Sequence, residues 1–292
     1  MNNYKIISDS SCDLANSYVV ENDIEIVPFS VTFDGEKYYR ENLDISLEEI
    51  YKRMRGDNVF PKTSLPSPQD YFDVFEKYLK DGKDVICLCL TSKFSGSYQS
   101  AVNAMNMIKD DYPDRKIAVI DSQNVTASQG YMLMQLVDMK NAGMEFEQII
   151  ETAEKIKHDR RIFVTVDTLE FLQKGGRVGK TQALAGSLLN IKPIITFEDG
   201  ELIPHSKARG RKKALEQIIS LCVKDLEEKN VDQYELYVLH IDCPDDADTL
   251  VKMFKDRGYT VNLPIVKIGA TITVHVGCGT IAVGYFRKYN TI

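Results

Sequence analysis

Val85-Ile86-Cys87-Leu88-Cys89-Leu90-Thr91-Ser92-Lys93-Phe94-Ser95-Gly96-Ser97-Tyr98-Gln99-Ser100-Ala101 changes character twice within seventeen residues. Six consecutive apolar residues predict a strand buried on both faces. A hydroxyl-rich turn with one glycine follows, and Tyr98, Ala101, Val102, Met105 and Ile108 then recur at helical spacing. A strand that passes through a polar turn into a helix leaves the first helical N–H groups unpaired beside the positive end of the helix dipole, where an anion fits. Thr91, Ser92, Ser95 and Ser97 add hydroxyl donors, and Gly96 permits close approach of a ligand to the backbone. The turn reads equally well as an ordinary helix cap.

The same alternation extends outward. Tyr4-Lys5-Ile6-Ile7 predicts a strand, followed by the polar segment Ser8-Asp9-Ser10-Ser11-Cys12-Asp13-Leu14, which on its own reads as an N-cap cluster before a helix near residues 13–21. Lys116 to Ser122 predicts a buried strand, and helices follow with Tyr131, Met134 and Val137, then Phe146, Ile149, Ile150 and Ala153, on their inner faces. Strands and helices alternating at this length predict a mostly parallel sheet covered on both sides. Ligands of such sheets lie beyond the carboxyl ends of the strands, where the serine-rich turns after residues 7 and 90 stand.

Between these elements, Ile24 to Phe33 predicts a strand broken by Pro28, with Asp34-Gly35 as a hairpin turn, and Leu47, Ile50, Tyr51 and Met54 predict a helix capped by Asp44 or Ser46. Lys62-Thr63-Ser64-Leu65-Pro66-Ser67-Pro68 predicts a stiff irregular loop, because each proline restricts itself and its predecessor. Ser67 and Pro68 then open a helix with Tyr71, Phe72, Phe75, Tyr78 and Leu79 inward. Thr63 and Ser64 either present hydroxyls to a ligand or bond the loop to itself.

From about Arg161 the pattern is mixed. Ile162 to Val166 predicts a strand, and Lys192–Phe197 with Glu201–His205 a hairpin across Asp199-Gly200. Lys174-Gly175-Gly176-Arg177-Val178-Gly179-Lys180-Thr181 ends like a phosphate loop, but lysine stands at 174 where that motif wants glycine. Five of the seven residues Lys207-Ala208-Arg209-Gly210-Arg211-Lys212-Lys213 are basic, a solvated run or a partner-docking patch. Strands at Tyr234–Ile241 and Ile265–Ile268 flank a helix with Leu250, Val251 and Phe254. The glycine-punctuated tail from Gly269 to Tyr285 holds His275.

With 292 residues, 43% hydrophobic and 27% charged, the chain has the make-up of a soluble globular protein able to bury a substantial core. No apolar run approaches the ~18 residues that span a bilayer, and the amino terminus lacks a signal-peptide stretch, so cytoplasmic residence is expected. Six scattered cysteines, two of them alternating as Cys87 and Cys89, suit a reduced compartment. The four histidines show no metal-ligand spacing with these thiols. A net charge of −7 argues against general nucleic-acid binding.

Taken in order, several segments resemble the DegV family of bacterial fatty-acid-binding proteins, whose kinase-linked members are called FakB. They are Ser8 to Leu14, Thr63 to Pro68, Ser92 to Ala101, Asp167-Thr168-Leu169 with Lys174 to Arg177, Lys192-Pro193-Ile194, Arg209 to Lys212 and His275-Val276-Gly277, and they run from residue 8 to about residue 279, so the resemblance spans nearly the whole chain. The resemblance implies two α/β domains. Residues 1–158 would carry a mostly parallel sheet and the serine-rich turns; residues 159–292 would carry a mixed sheet, the basic loops and His275. It further implies an interior tunnel for a long-chain fatty acid. Thr63 and Ser95 would hold the carboxylate, with Gly96, Ser92 and His275 assisting, and Arg177, Arg209 and Arg211 would face a FakA-like fatty acid kinase that makes the acyl phosphate. The chain would be a carrier without catalytic residues, cofactor, metal, nucleic acid or stable membrane insertion. Lys93, Cys278 and Thr273-Val274 depart from the family pattern.

The physical chemistry agrees with such a ligand. A carboxylate among hydroxyls and helix N–H groups recovers its desolvation cost through hydrogen bonds to the charged form. About fourteen buried methylenes at ~0.8 kcal/mol each contribute on the order of 11 kcal/mol before ordering costs. Met105, Met132, Leu133 and Met134 are candidates for the tunnel wall. The competing enzyme reading, an esterase or acyltransferase with Ser95 as nucleophile and His275 as base, lacks the G-x-S-x-G elbow because Lys93 replaces its first glycine.

Overall fold

The computed structural model describes residues 3–56, 59–184 and 190–292. The chain runs through β1 (Tyr4–Asp9), α1 (Asn16–Glu21), β2 (Glu25–Val27), β3 (Ser30–Thr32), β4 (Tyr38–Arg40), α2 (Leu47–Gly56), β5 (Lys62–Ser64) and α3 (Pro68–Lys80). Next come β6 (Asp84–Cys89), α4 (Ser97–Ile108), β7 (Ile117–Asp121), α5 (Thr126–Asn141) and α6 (Phe146–Ile156). The second half adds β8 (Arg160–Thr165), α7 (Glu170–Lys174), β9 (Ile191–Glu198), β10 (Glu201–Arg209), α8 (Arg211–Glu227), β11 (Tyr234–His240), α9 (Pro244–Lys255), β12 (Val266–Lys267), α10 (Ala270–Val276) and β13 (Ile281–Arg287).

The strand read first from the sequence, β6, lies inside a four-stranded parallel sheet of order β2-β1-β6-β7. Alternation along it explains its unbroken apolar run. Val85, Cys87 and Cys89 pack under α3 and α4, while Ile86 and Leu88 pack under α5 and α6. Helix α3 starts where the sequence places it, on a capping box in which Ser67 and Asp70 exchange hydrogen bonds. Strand β7 is an edge strand and mostly half-buried, not the fully buried strand expected from its apolar residues.

The second sheet is mixed, of order β10-β9-β8-β13-β11-β12. Its two faces have different tasks. Phe163, Ile194, Val238 and Val283 point outward under α8 and α9. Ile162, Val164, Ile195, Phe197, Leu239 and Ala282 point inward toward Phe29, Leu90 and Val125 of the first half. The β9–β10 tip reaches the turn after β6, where Thr91 Oγ1 donates to Gly200 O over 3.1 Å. Gly200 has φ +82 and a Cβ there would stand 2.5 Å from Thr91 Oγ1, so both conformation and contact demand glycine.

Two further expectations need correction. Residues 62–64 are not irregular: they form β5, an edge of the small antiparallel sheet β4-β3-β5, paired with β3. Proline-flanked backbone is already biased toward extended geometry, and an edge position tolerates prolines nearby. Ser10 and Ser11 do not cap α1, whose first turn has no side-chain cap. They are buried and bond to Glu41 and Asp9 instead. The β-branched run Thr271-Ile272-Thr273-Val274 is helical, as α10, because its packing outweighs its weak helix propensity.

Candidate functional site

Between the inner face of the mixed sheet, α10 and the turn after β6 lies a cavity enclosing about 960 Å³ of empty space, its open mouth included. Sheet residues Ile162, Val164, Ile195, Phe197, Leu239 and Ala282 form one apolar side, and Phe29, Leu90, Phe94 and Val125 are among the apolar residues that face them. Helix α10 contributes Thr271, Ile272, His275 and Val276. Their spacing is helical, a signal present in the sequence but obscured by the surrounding glycines and β-branched residues.

Among the polar wall residues, Thr126, Thr271 and Thr280 spend their hydroxyl hydrogens within the protein, on Asp13, Glu41 and the carbonyls of Val276 and Gly277. Thr63, Ser95, Arg177 and His275 differ. Thr63 Oγ1 lies 2.8 Å from His275 Nε2. Ser95 Oγ accepts from Ser97 N over 3.2 Å, which leaves its own hydrogen to give. Arg177 anchors Nε on Phe94 O at 3.1 Å and Nη1 on Gly175 O at 2.6 Å, so its charge is held in the cavity wall by carbonyls.

The electrostatics fix the direction of these hydrogen bonds. Burial, and then the Arg177 charge, push His275 down to about 4, so its ring is neutral near pH 7. Its buried Nδ1 has no partner. A hydrogen on Nδ1 would be a buried, unpaired N–H, whereas a hydrogen on Nε2 leaves only a lone pair unused, the cheaper arrangement. Nε2–H therefore donates to Thr63 Oγ1, and the Thr63 hydrogen is free for an acceptor. Gly175 makes room for the ring, since a Cβ there would stand 2.4 Å from His275 Nδ1.

Other residues singled out in the sequence lie elsewhere. Ser92 is exposed and bound to Asp121 Oδ2 at 2.5 Å, outside the cavity wall. Gly96 backs onto Leu65, a wall residue. Lys93 reaches solvent and stands 3.9 Å from Glu201. Arg177, expected on a partner-facing surface, is half-buried in the wall. Arg211 is tied to Asp246 at 2.8 Å and Asp167 at 3.6 Å, while Arg209 is exposed. Met132 and Leu133 are core beneath the parallel sheet, and neither they nor Met105 and Met134 line the cavity. The wall is built from the sheet's inner face, a set that no single sequence segment displays. Among the described residues no group of histidine, cysteine and carboxylate side chains could hold a metal ion, and no helix is long and apolar enough to cross a membrane.

Comparison with known proteins gives the same shape and the same length. A stearic-acid-binding protein from Eubacterium ventriosum superposes with a TM-score of 0.93 at 38% identity, covering 99% of this chain and 100% of that one. A DegV family protein from Thermus thermophilus, described by its fatty acid binding, gives 0.88 at 30%, covering 98% and 99%. A DegV domain-containing protein of Clostridium perfringens is 34% identical over 288 residues, 97% of this chain and 99% of the relative. The model of the DegV family, described as uncharacterised proteins, matches residues 3–288. This chain, with its paired α/β sheets and the cavity between them, is a member of the DegV family.

Proposed function

We propose that the chain binds one long-chain fatty acid in this cavity, hydrocarbon against the mixed sheet, and acts as a carrier and not as a catalyst. The observation that carries the reading is an apolar cavity whose wall holds two hydroxyls with hydrogens to give, Thr63 and Ser95, beside a cation, Arg177. A carboxylate accepts from both hydroxyls, and Arg177 offsets its charge. His275 aims the Thr63 hydroxyl. Gly96 supports that wall through Leu65, and Ser92 is given no ligand contact. The fatty acids named for the Eubacterium and Thermus relatives support the same class of ligand.

In this reading the bound carboxylate is presented, in the cytoplasm, to a fatty acid kinase that phosphorylates it. Arg209, exposed at the end of β10, is the side chain offered to that partner, and Arg211 holds the neighbouring backbone through Gly279 O at 2.7 Å. Residues 1–158 and 159–292 form two domains with the ligand between them. An esterase would pair His275 with Ser95, but its Nε2 is spent on Thr63 and its Nδ1 is buried against Gly175.

Gentle-ionisation mass spectrometry of protein purified from cells tests the proposal. One co-purified fatty acid per chain is expected, released by solvent extraction. A protein that arrives empty and takes up neither saturated nor unsaturated long-chain acid refutes it. So does turnover of an activated ester that disappears in Ser95→Ala.

A further inference from the structure

The polar segment Ser8–Leu14 ties the cavity walls together from behind. Asp9 accepts from Leu90 N and Ser97 Oγ, both at 2.9 Å, and so holds the two ends of the turn after β6. Ser10 Oγ receives Phe29 N at 2.9 Å and donates to Glu41 at 2.5 Å. Asp13 receives Thr126 at the start of α5, and Glu41 receives Thr271 N at 2.9 Å and Thr271 Oγ1 at 2.6 Å at the start of α10. Phe29, Thr126 and Thr271 all line the cavity.

Two of these carboxyl groups meet. A Cβ on Gly269 would stand 2.3 Å from Asp13 Oδ1 and 2.8 Å from Glu41 Oε1, so both oxygens crowd one glycine ahead of α10. Asp13 Oδ1 is buried without a hydrogen-bond partner, and Glu41 is 1% exposed. The charges that act on Asp13 are those of Glu41 and Asp9, both negative, and the other titratable groups facing it are Cys12 and Tyr51. Two ionised carboxylates in this buried place would repel each other. A single proton removes both the repulsion and the orphaned oxygen.

We infer that Asp13 and Glu41 share one proton at neutral pH, Asp13 donating from Oδ1 to Glu41, and that this pair positions α10 against the cavity. Burial, and for Asp13 the neighbouring Glu41, raise both groups, which accords with a retained proton. An acid raised in the folded state stabilises at low pH, and the contribution is lost as pH rises through its folded value. Removal of the shared proton then loosens the helix that carries Thr271, Ile272, His275 and Val276, so ligand is held less tightly in alkali. This last step rests on the fatty-acid reading; the shared proton does not.

Infrared spectroscopy of the intact protein tests the first part without ligand. Wild type at neutral pH should show the carbonyl stretch of an un-ionised carboxylic acid that titrates away in alkali, and Asp13→Asn should lack that band. An absent band, or one unchanged by Asp13→Asn, overturns the shared proton, and the wild-type titration decides even if the variant folds poorly. Palmitate titrations test the second part. The wild-type Kd should rise about tenfold or more across the pH range in which the band is lost, one unit of differential protonation being tenfold. In Asp13→Asn, whose amide donates to Glu41 at every pH, it should stay flat. Equal alkaline weakening in both proteins overturns the link to α10. A wild type that keeps the band but binds no palmitate retains the shared proton and overturns the ligand reading alone.

Discussion

Thr63→Val is the sharpest single perturbation, because valine copies the shape of threonine and removes only the hydroxyl. That hydroxyl sits between His275 Nε2, 2.8 Å away, and the cavity. In the proposed complex its loss removes one hydrogen bond to an ionised acceptor, worth about 1.5–3 kcal/mol. At 1.4 kcal/mol per decade, the fatty-acid Kd should rise roughly 10- to 150-fold. The apolar wall is untouched, so the ~0.8 kcal/mol per methylene gained on lengthening the acid should be the same in both proteins. Folding should suffer separately, by about 1–3 kcal/mol, because His275 Nε2–H is left buried without a partner. Fluorescence displacement titrations with a fatty acid and with the matching fatty alcohol separate the effects. The acid should lose affinity in Thr63→Val and recover it in Thr63→Ser, while the alcohol, which carries no charge, should change far less. Equal affinity of wild type and Thr63→Val for the acid would refute the argument that this hydroxyl faces the head group.

Two further outcomes follow from the same corner. Because His275 is pushed down to about 4 in the fold while an unfolded histidine titrates near 6.5, the unfolded chain takes up a proton first as pH falls. His275 therefore costs stability progressively from about pH 6.5 to about pH 4, up to about 3 kcal/mol. Denaturant melts of wild type and His275→Gln should diverge over that interval and run parallel above it; parallel curves throughout would contradict the neutral buried ring. Gly175→Ala places a methyl 2.4 Å from His275 Nδ1, although its φ of −77 is permissive for alanine. The ring must move, so palmitate affinity should fall about as far as in Thr63→Val with little change in helix content by circular dichroism. Unaltered affinity would mean that the ring position is unimportant.

How far the site was legible in the chain depended on how local its signals are. Thr63, Ser95 and His275 were all read as candidates, and all three lie on one cavity wall. Arg177 was expected to face a partner, as the family resemblance implies. Only the carbonyls of Phe94 and Gly175 hold it inward. The hydrocarbon wall was assigned to methionines on α4 and α5, since a sequence shows helical stripes more plainly than it shows which face of a sheet stays uncovered.

The sequence by itself determined the α/β alternation, the buried strand at 85–90, the hairpin at Asp199-Gly200 and the capped start of α3, because each depends on residues within a few positions of one another. Tertiary structure alone decided that residues 62–64 become an edge strand, that a β-branched tail becomes a helix, and that the inner face of the second sheet is left partly unfilled. Each of those outcomes balances local backbone preference against contacts made with residues tens to hundreds of positions away, and burial of the apolar face is the larger quantity.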